Sequence, residues 1–350
     1  MKRDWQKTRY PEPLRPGDTI GITAPSAGVS EKLHRRLDLC IDHLKDLGFT
    51  VVEGACLRQN NKHVSASRAE RVEDLLGLWE ADEVKAILPP WGGEIAIHLL
   101  PYIDFHRLAA SRPKWILGYS DTSTLLFALT MATGIATAHG TTLMEMIPGQ
   151  AGNLSQQWQD VISLEAGQQI MLLSSSHFQV KGPDWAEDPA AKFNLTDDTQ
   201  WRCMQNGKQI ESLTFRGRIV GGCLETLSAL VGTPYGDVLS YRQRFRRDGL
   251  ILFLENAESE PAAVCRMLWH MRLAGWFDDL NGLLLGRSGG DDSEHFTYVD
   301  ALHDVFDDLS VPIIYDADIG HRPPQMTIIN GALATVACSE GKGSIVQTLC

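Results

Sequence analysis

The sequence predicts an α/β protein of two domains, and three observations lead to that prediction. Short apolar runs alternate with helical patterns through the first 150 residues, as in βαβ units on a parallel sheet. The periodicity fails from about residue 152 to 209 and then returns in a second set of strands and helices. The length of 350 residues also fits two domains, at roughly 100–200 residues each.

The N-terminal part contains four strand-like runs separated by helical segments. The predicted strands are residues 18–24, 49–52, 84–88 and 114–118. Predicted helices begin at Ser30, Ser67 and Thr122, and apolar residues recur at helical spacing in the first two. The third is mostly apolar, as expected of a helix packed on a sheet. We therefore expect a flavodoxin-like or Rossmann-like domain over residues 1–150.

The C-terminal part repeats this alternation on a smaller scale. Its predicted strands are residues 215–220, 249–254, 282–285 and 311–315, and its predicted helices are 262–273 and 298–307. These signals predict a smaller α/β domain over residues 213–350. Residues 151–212 are rich in polar residues and tryptophan, and we expect a linker with a Trp-bearing loop. The active site is expected in the cleft between the two domains.

Composition excludes several classes of protein. The chain is 43% apolar and 22% charged, and 32 Lys and Arg against 44 Asp and Glu give a net charge of −12. Disorder requires fewer apolar residues, and no run approaches the roughly 18 apolar residues of a membrane helix. The acidic balance argues against a polyanion. We expect a small-molecule substrate as the partner, with no nucleic acid and no membrane.

The cysteines and the missing motifs add further expectations. Seven scattered cysteines without a C-x-x-C pair indicate free thiols in a reducing compartment. No H-E-x-x-H or similar metal-ligand spacing occurs, and the glycine-rich nucleotide fingerprints are absent. The first residues lack the apolar stretch of a signal peptide. The sequence therefore predicts a cytoplasmic protein with no metal and no other cofactor.

Ser120 lies where an apolar strand runs directly into a helix, in the segment Gly-Tyr-Ser-Asp. Such a turn exposes the hydroxyl, and the amides of the first helical turn favour negative charge beside it. A nucleophile whose reaction forms an oxyanion needs both features. The pattern differs from G-x-S-x-G because Thr122 replaces the second glycine. The alternative is that Ser120 or Asp121 only caps the helix.

A nucleophilic serine needs a base held by a carboxylate, and candidates for both follow strands of the second domain. Glu255 follows the run 250–254, and the alternative is an ion pair with Arg266 or Arg272. His321 follows the last predicted strand and a glycine. Open α/β sheets bind ligands beyond the carboxyl ends of their strands, which favours His321 as the base. His98 and His139 are the fallback candidates.

Backbone amides and aromatic side chains complete the predicted site. The pair Gly92 and Gly93 ends the third strand, and an amide there could form an oxyanion hole with that of Asp121. The alternative is an ordinary strand-to-helix turn. Trp185 lies in the irregular segment, where a large aromatic either holds the loop in place or stacks on a ligand. In the second case the loop would act as a lid.

Several short blocks, in this order, resemble the LD-carboxypeptidase family of serine peptidases, which includes the microcin C self-immunity peptidases. The blocks span nearly the whole chain: residues 17–26, Gly92-Gly93, Gly118-Tyr-Ser-Asp121, Gly221-Gly222 with Leu224, Leu252-Phe-Leu-Glu255 and Gly320-His321. The resemblance implies a metal-free Ser-Glu-His triad, which falls on Ser120, Glu255 and His321. It also implies a homodimer.

The family contains two branches, and the resemblance favours one of them. One branch removes D-alanine from murein tetrapeptides at an L,D bond. The other cleaves the amide that joins an aminoacyl or peptidyl group to a nucleotide in microcin C-like toxins. The Trp-bearing segment resembles the second branch, in which a tryptophan loop covers the nucleotide. We therefore expect Trp185 and Gly92 to contact substrate, and Gly93 and Asp121 to hold the oxyanion.

Two positions depart from the family pattern. Cys223 stands where the family has asparagine after a glycine pair, so a polar substrate contact is missing or replaced. Glu94 stands where a tyrosine or small polar residue is usual, which changes the charge near the scissile bond. Both departures concern the substrate, and Cys223 is expected to contact it. The alternatives are a murein LD-carboxypeptidase, a general dipeptidase or amidase, and a binding protein that has lost turnover.

Overall fold

The computed structural model describes residues 5–150 and 153–350. Most of the seventeen strands in the described residues belong to two large sheets. One sheet has six strands and the other has nine, and a two-stranded ribbon, β7 (His177–Phe178) with β8 (Asp197–Asp198), lies outside both. The α/β class predicted from the sequence is confirmed.

The six-stranded sheet has the doubly wound order β2-β1-β3-β4-β5-β15, and its first five strands are parallel. Its strands are β1 (Thr19–Ile22), β2 (Thr50–Glu53), β3 (Val84–Leu88), β4 (Trp115–Gly118), β5 (Thr137–His139) and β15 (Ile328–Asn330). The order 2-1-3-4-5 is that of flavodoxin-like folds, whose ligands bind beyond the carboxyl ends of the strands. The flavodoxin-like prediction for the N-terminal domain is therefore correct.

Three of the four α-helices within residues 5–150 form where the sequence patterns predict them, and the short helix at Phe105–Ala110 was not predicted. The four helices are α1 (His34–Asp46), α2 (Arg68–Glu80), α3 (Phe105–Ala110) and α4 (Ser123–Thr133). Ser67 caps α2 in a reciprocal capping box with Glu70. Nearly every side chain of α4 is buried, because this helix packs both on β5 and on the second sheet. The apolar sequence of α4 thus reflects its position between the two sheets.

The nine-stranded sheet has the order β10-β9-β14-β13-β12-β11-β16-β17-β6. Its parallel centre is β11 (Ser212–Cys223), β12 (Leu250–Glu255), β13 (Gly282–Gly286) and β14 (Ile313–Ala317). Its flanking strands are β6 (Gln169–Leu173), β9 (Arg202–Gln205), β10 (Lys208–Ile210), β16 (Leu333–Ser339) and β17 (Lys342–Thr348). Continuous burial of β12 and β13 explains why their sequences are unbroken apolar runs.

The remaining helices of this part are short except for two. They are α5 (Asn153–Gln156), α6 (Trp158–Ile162), α7 (Leu224–Ser228), α8 (Val238–Arg244), α9 (Pro261–Leu273) and α10 (Tyr298–Phe306). Helices α9 and α10 pack against each other. None of the helices in residues 5–150 and 153–350 is long and apolar enough to cross a membrane.

The segment 151–212, expected to be a linker with a loop, contributes strands to both edges of the nine-stranded sheet. Strand β6 lies at one edge, and β9 and β10 lie at the other. The side chains of β10 are exposed and those of β6 are mostly exposed or partly buried. Edge strands with so little buried surface show no clear alternation of apolar residues, so periodicity did not predict them.

The two sheets are joined through β15, which lies late in the chain but pairs antiparallel with β5 of the first sheet. Asn330 on β15 donates a hydrogen bond to Thr137 Oγ1 at 3.2 Å and accepts one from the Gly221 amide of β11 at 2.9 Å. Because this buried side chain contacts both sheets, it fixes the position of one sheet against the other.

Candidate active site

The predicted catalytic residues follow the carboxyl ends of parallel strands in the two sheets. Ser120 lies two residues after β4, Glu255 is the last residue of β12, and His321 lies four residues after β14. Ser120 and His321 line the same two cavities. The fold therefore brings together three residues that are far apart in the sequence.

The backbone at Ser120 is in the left-handed region, with a φ of 60°. Non-glycine residues rarely adopt this conformation, and they do so mainly in turns and at functional sites. The residue begins a short 3-10 helix (Ser120–Thr122) that leads directly into α4. Ser120 Oγ makes no hydrogen bond within residues 5–150 and 153–350. Its hydroxyl is therefore displayed at the cavity on a sharp strand-to-helix turn.

His321 and Glu255 form an ion pair in which the Nδ1 to Oε2 distance is 2.7 Å. Burial alone lowers the pKa of His321, but the charge and hydrogen bond of Glu255 raise it, and the net shift is upward. Burial alone raises the pKa of Glu255, but His321 lowers it more, so the net shift is downward. The pair thus favours an ionised carboxylate and a more basic imidazole.

Two glycines allow the Glu255 side chain to reach His321. A Cβ on Gly286 would lie 2.8 Å from Glu255 Cβ, and one on Gly320 would collide with Glu255 Oε2. Gly320 also has a φ of 98°, which strongly favours glycine. The glycine before His321 is therefore explained by this close approach.

Tyr119 contacts the pair formed by His321 and Glu255, and it was not identified from the sequence as a functional residue. Its ring meets that of His321 edge-on, with the ring centroids 4.8 Å apart. Its hydroxyl donates a hydrogen bond to Glu145 Oε1 at 2.8 Å. Burial, followed by the charge of Glu145, raises the pKa of Tyr119 well above its usual value. A neutral tyrosine thus limits the orientations of the imidazole.

Gly92 lies against Ser120, and Gly93 lines both cavities that Ser120 borders. Gly93 has a φ of 145°, and its amide donates no hydrogen bond within the described residues. A Cβ on Gly92 would lie 2.7 Å from the Asp121 nitrogen. The carboxylate of Asp121 is buried and accepts hydrogen bonds from the Ser26 hydroxyl and the Ala96 amide. The Asp121 side chain therefore holds neighbouring loops together. The role predicted for Asp121, in the oxyanion hole, concerns its backbone amide.

Cys223 lies beside Glu255 and at the cavity wall. The two residues are partners in the register of β11 and β12. Its thiol donates to Glu225 Oε2 at 3.1 Å, and its amide donates to Ser123 Oγ at 3.2 Å. Burial, followed by the charge of Glu255, raises the pKa of the thiol well above 9.0, so the thiol stays neutral. Cys223 thus contributes a small neutral group to the wall.

The space around Ser120 is divided into two cavities of different chemistry. One, of about 470 Å³, is lined by Glu94, Glu225 and Glu258 together with Ser120 and His321. The other, of about 290 Å³, includes two tryptophans, and its lining comprises Ala27, Trp91, Gly92, Gly93, Tyr119, Ser120, Thr142, Glu145, Trp185 and His321. Because Ser120 borders both cavities, a substrate whose scissile bond lies at this serine would extend into both of them.

Trp185 lines the smaller cavity, and Arg36 holds it there. The Arg36 guanidinium lies over the Trp185 ring, 3.8 Å from its centroid. The same guanidinium donates to the carbonyl oxygens of Pro189 and Ala191, at 3.1 and 2.9 Å. Both interpretations of Trp185 therefore have support, since the loop is held in place and the ring borders the cavity. Sequence analysis did not identify Arg36, which lies on a helix far from this loop in the sequence.

The other candidates lie in less suitable places. His139 is buried, and burial lowers its pKa to about 4, so it is neutral near pH 7 and does not line either cavity. His98 is exposed on a 3-10 helix. Glu94 lines the larger cavity and lies 3.2 Å from His63 Nδ1, with both side chains exposed. Among the candidate bases, His321 is the one that borders Ser120.

Comparison with known proteins identifies relatives over nearly the whole chain. A Vibrio cholerae protein named as a carboxypeptidase is 30% identical over 93% of this chain and 94% of its own. The microcin C7 self-immunity protein MccF of Escherichia coli is 25% identical over 96% of this chain and 95% of its own. A Bacillus subtilis protein named as a murein peptide carboxypeptidase is 27% identical over 99% and 97%.

Solved structures share the fold. An MccF-like protein from Bacillus anthracis superposes with a TM-score of 0.83 at 25% identity, covering 97% of this chain and 99% of that chain. MccF in complex with aspartyl sulfamoyl adenosine gives 0.82 at 23% identity, covering 97% and 98%.

The family assignment rests on both halves of the chain. Residues 20–140 match the LD-carboxypeptidase N-terminal domain, and residues 216–336 match the LD-carboxypeptidase C-terminal domain. The order of the two matches is the order in which the fold supplies Ser120 and then Glu255 and His321. The chain belongs to the LD-carboxypeptidase family and is a serine carboxypeptidase-like hydrolase.

Proposed function

We propose that the protein hydrolyses the amide bond between an aminoacyl or peptidyl group and a nucleotide, with Ser120, His321 and Glu255 as the catalytic triad. The main support is the position of Ser120 between a tryptophan-lined cavity and a second cavity. The tryptophan-lined side suits an aromatic base, because a nucleobase stacks on an aromatic ring. The second cavity would then receive the acyl group.

In the first half of the reaction, Ser120 Oγ attacks the carbonyl carbon of the scissile amide. The hydroxyl proton passes to His321 Nε2, while Glu255 Oε2 accepts the Nδ1–H hydrogen bond and stabilises the imidazolium. The oxyanion formed at the carbonyl oxygen accepts hydrogen bonds from the amides of Gly93 and Asp121. His321 then protonates the leaving nitrogen as the C–N bond breaks, which leaves an acyl group on Ser120.

In the second half, water replaces the leaving group. His321 removes a proton from the water, whose oxygen attacks the ester carbon and forms a second oxyanion in the same position. Collapse returns the proton from His321 to Ser120 Oγ and releases a carboxylic acid. The enzyme regains its starting protonation state, because one proton is taken up and one is returned in each half.

The ligands named for relatives support the nucleotide branch. Solved structures of MccF contain aspartyl sulfamoyl adenosine and glutamyl sulfamoyl guanosine, and an MccF-like protein from Streptococcus pneumoniae contains AMP. The second candidate is hydrolysis of murein tetrapeptides at an L,D bond. It is supported by the Bacillus subtilis relative named as a murein peptide carboxypeptidase.

The test compares two substrates with one enzyme preparation. Purified protein is incubated with an aminoacyl sulfamoyl adenosine and, separately, with a murein L,D-tetrapeptide, and the released amino acid is measured by mass spectrometry. We expect a higher kcat/KM for the nucleotide compound and no release by Ser120→Ala. Preference for the tetrapeptide would assign the protein to the murein branch, and equal turnover by Ser120→Ala would exclude the triad.

Two further expectations belong to this proposal. The family resemblance implies a homodimer, which light scattering on the purified protein would test. The seven cysteines are free thiols, as expected of a protein that works in the reducing cytoplasm. Fractionation of cells that express the protein would test its location.

A further inference from the structure

The larger cavity beside Ser120 has a strongly acidic wall. Its lining includes the carboxylates of Glu94, Glu225 and Glu258, and no lysine or arginine belongs to the lining within the described residues. The basic side chain in this lining, among the residues that the structure describes, is His321, and it is paired with Glu255. A substrate group that enters this cavity therefore meets an environment dominated by negative charge.

The loop amides that could offset this charge are already used by the protein. The carboxylate of Glu225 occupies a backbone loop before α9, where its Oε1 accepts hydrogen bonds from the amides of residues 257, 258 and 259 and from Ser259 Oγ, at 2.9 to 3.3 Å. Consecutive amides of this kind bind anions. Since Glu225 fills the position, a substrate carboxylate has no access to these donors.

Glu258 provides the charge that is available to a ligand. Its side chain is exposed, lines the cavity and makes no hydrogen bond or ion pair within residues 5–150 and 153–350. Glu225 in contrast is satisfied by the loop and by the Cys223 thiol. The two residues thus have separate roles, one excluding anions from the loop amides and the other free to pair with a cation.

We propose that this cavity selects acyl groups whose side chain carries an amine or guanidinium, with Glu225 and Glu258 as the specificity-determining residues. The inference rests on the proposed function, because it takes the larger cavity as the acyl site. A lysyl or arginyl group would place its charge against Glu258, while an aspartyl or glutamyl group would meet the carboxylates of Glu225 and Glu258 and find the loop amides already occupied.

The test measures binding separately from catalysis. Ser120→Ala protein is titrated by calorimetry with lysyl, alanyl and glutamyl sulfamoyl adenosine. We expect the lysyl compound to bind up to about fivefold more tightly than the alanyl compound, the size of an exposed ion pair. The glutamyl compound should bind more weakly than the alanyl compound. Higher salt should reduce both differences in affinity, because it screens the charges.

Matched variants assign the effect to the cavity. In the Ser120→Ala background, Glu258→Gln should reduce the lysyl preference to about twofold or less. Glu73→Gln makes the same change in net charge on the exposed face of α2, away from the cavity, and should leave the preference unchanged. Glu225→Gln should improve binding of the glutamyl compound.

The outcomes separate this inference from the proposed function. Equal binding of the three compounds, or tighter binding of the glutamyl compound, would overturn the inference. If wild-type protein still hydrolyses the alanyl compound in that case, the proposed function stands. If wild-type protein hydrolyses none of the compounds and Ser120→Ala binds none of them, both proposals are wrong.

Discussion

Gly92 lies directly against Ser120, across the two loops that follow β3 and β4. A Cβ added to Gly92 would lie 2.6 Å from Ser120 Cβ and 2.8 Å from its Oγ. Side-chain carbons do not approach other atoms so closely without displacing them. The absence of a side chain at Gly92 therefore allows Ser120 to occupy its position at the cavity.

Replacing Gly92 with alanine should reduce activity more than stability. The added methyl group must displace Ser120 or the amide of Asp121, and a shift of about 1 Å in a reacting group costs on the order of a hundredfold in rate. We expect kcat/KM to fall by about this factor, as measured by release of the amino acid from an aminoacyl sulfamoyl adenosine.

The control for this substitution is Gly77→Ala. Gly77 lies within α2, and a Cβ there would meet no atom within 4 Å. Alanine should raise the free energy of unfolding by about 0.5–1 kcal/mol, because glycine is a poor helix former. Its activity should match wild type. Wild-type activity in Gly92→Ala as well would show that the contact does not control the position of the nucleophile.

The backbone conformation of Ser120 predicts a difference in stability between two inactive variants. Ser120→Ala and Ser120→Gly both remove the hydroxyl, and each should lose several orders of magnitude in kcat because triad residues act as a unit. Alanine retains the unfavourable φ of 60°, whereas glycine adopts it readily. The glycine variant should be more stable than the alanine variant by about 1 kcal/mol in urea unfolding. A less stable glycine variant would contradict the strained turn.

The three residues proposed as the triad could be selected from the sequence because each follows an apolar strand. An unbroken apolar run marks a buried parallel strand, and polar residues immediately after it lie at the edge where parallel sheets bind ligands. Ser120 and Glu255 could be selected in this way, and His321 because it lies in the loop beyond the last predicted strand. Their predicted roles as nucleophile, orienting carboxylate and base await the tests described above.

The interactions that sequence analysis missed depend on distant contacts. Arg36 contacts the carbonyl oxygens of Pro189 and Ala191, which lie more than 150 residues away. Glu225 accepts from amides that follow the next strand. Strand β15 is only three residues long and joins the sheet of the other half of the chain. No local periodicity indicates such contacts, because tertiary packing alone brings the partners together.

The Glu255–His321 pair predicts the acid limb of the pH–rate profile. His321 accepts a proton from Ser120 only when it is neutral, and the charge and hydrogen bond of Glu255 outweigh burial and raise its pKa. Activity should therefore fall as pH decreases through a midpoint above 6.5, the ordinary value for histidine. The measurement is kcat/KM across pH in wild-type protein.

Glu255→Gln should shift the acid limb of the pH–rate profile to lower pH. Without the carboxylate, burial dominates and lowers the pKa of His321, so the midpoint of the remaining activity should shift to lower pH. The rate at the plateau should fall by several orders of magnitude, because the imidazolium loses its partner. An unchanged midpoint in the variant would indicate that another group controls the acid limb.

Trp185 predicts a change in substrate binding. Because its ring borders the smaller cavity, Trp185→Ala should raise the KM for an aminoacyl sulfamoyl adenosine about tenfold, the size of a base–aromatic contact, with a smaller effect on kcat. Trp185→Phe retains an aromatic face and should show a smaller increase. The readout is the separation of KM from kcat in steady-state kinetics.

Trp201 provides the control for this prediction. It lies in the same irregular segment but is buried, and its Nε1 donates to Asp318 Oδ2 at 2.7 Å away from both cavities. Trp201→Phe should therefore lower the free energy of unfolding by about 1–3 kcal/mol, since it leaves a buried carboxylate with one partner fewer. Its KM should stay near the wild-type value. If Trp185→Ala and Trp201→Phe instead raise KM equally, the effect comes from the loop as a whole, and the ring of Trp185 has no direct part in binding the nucleotide.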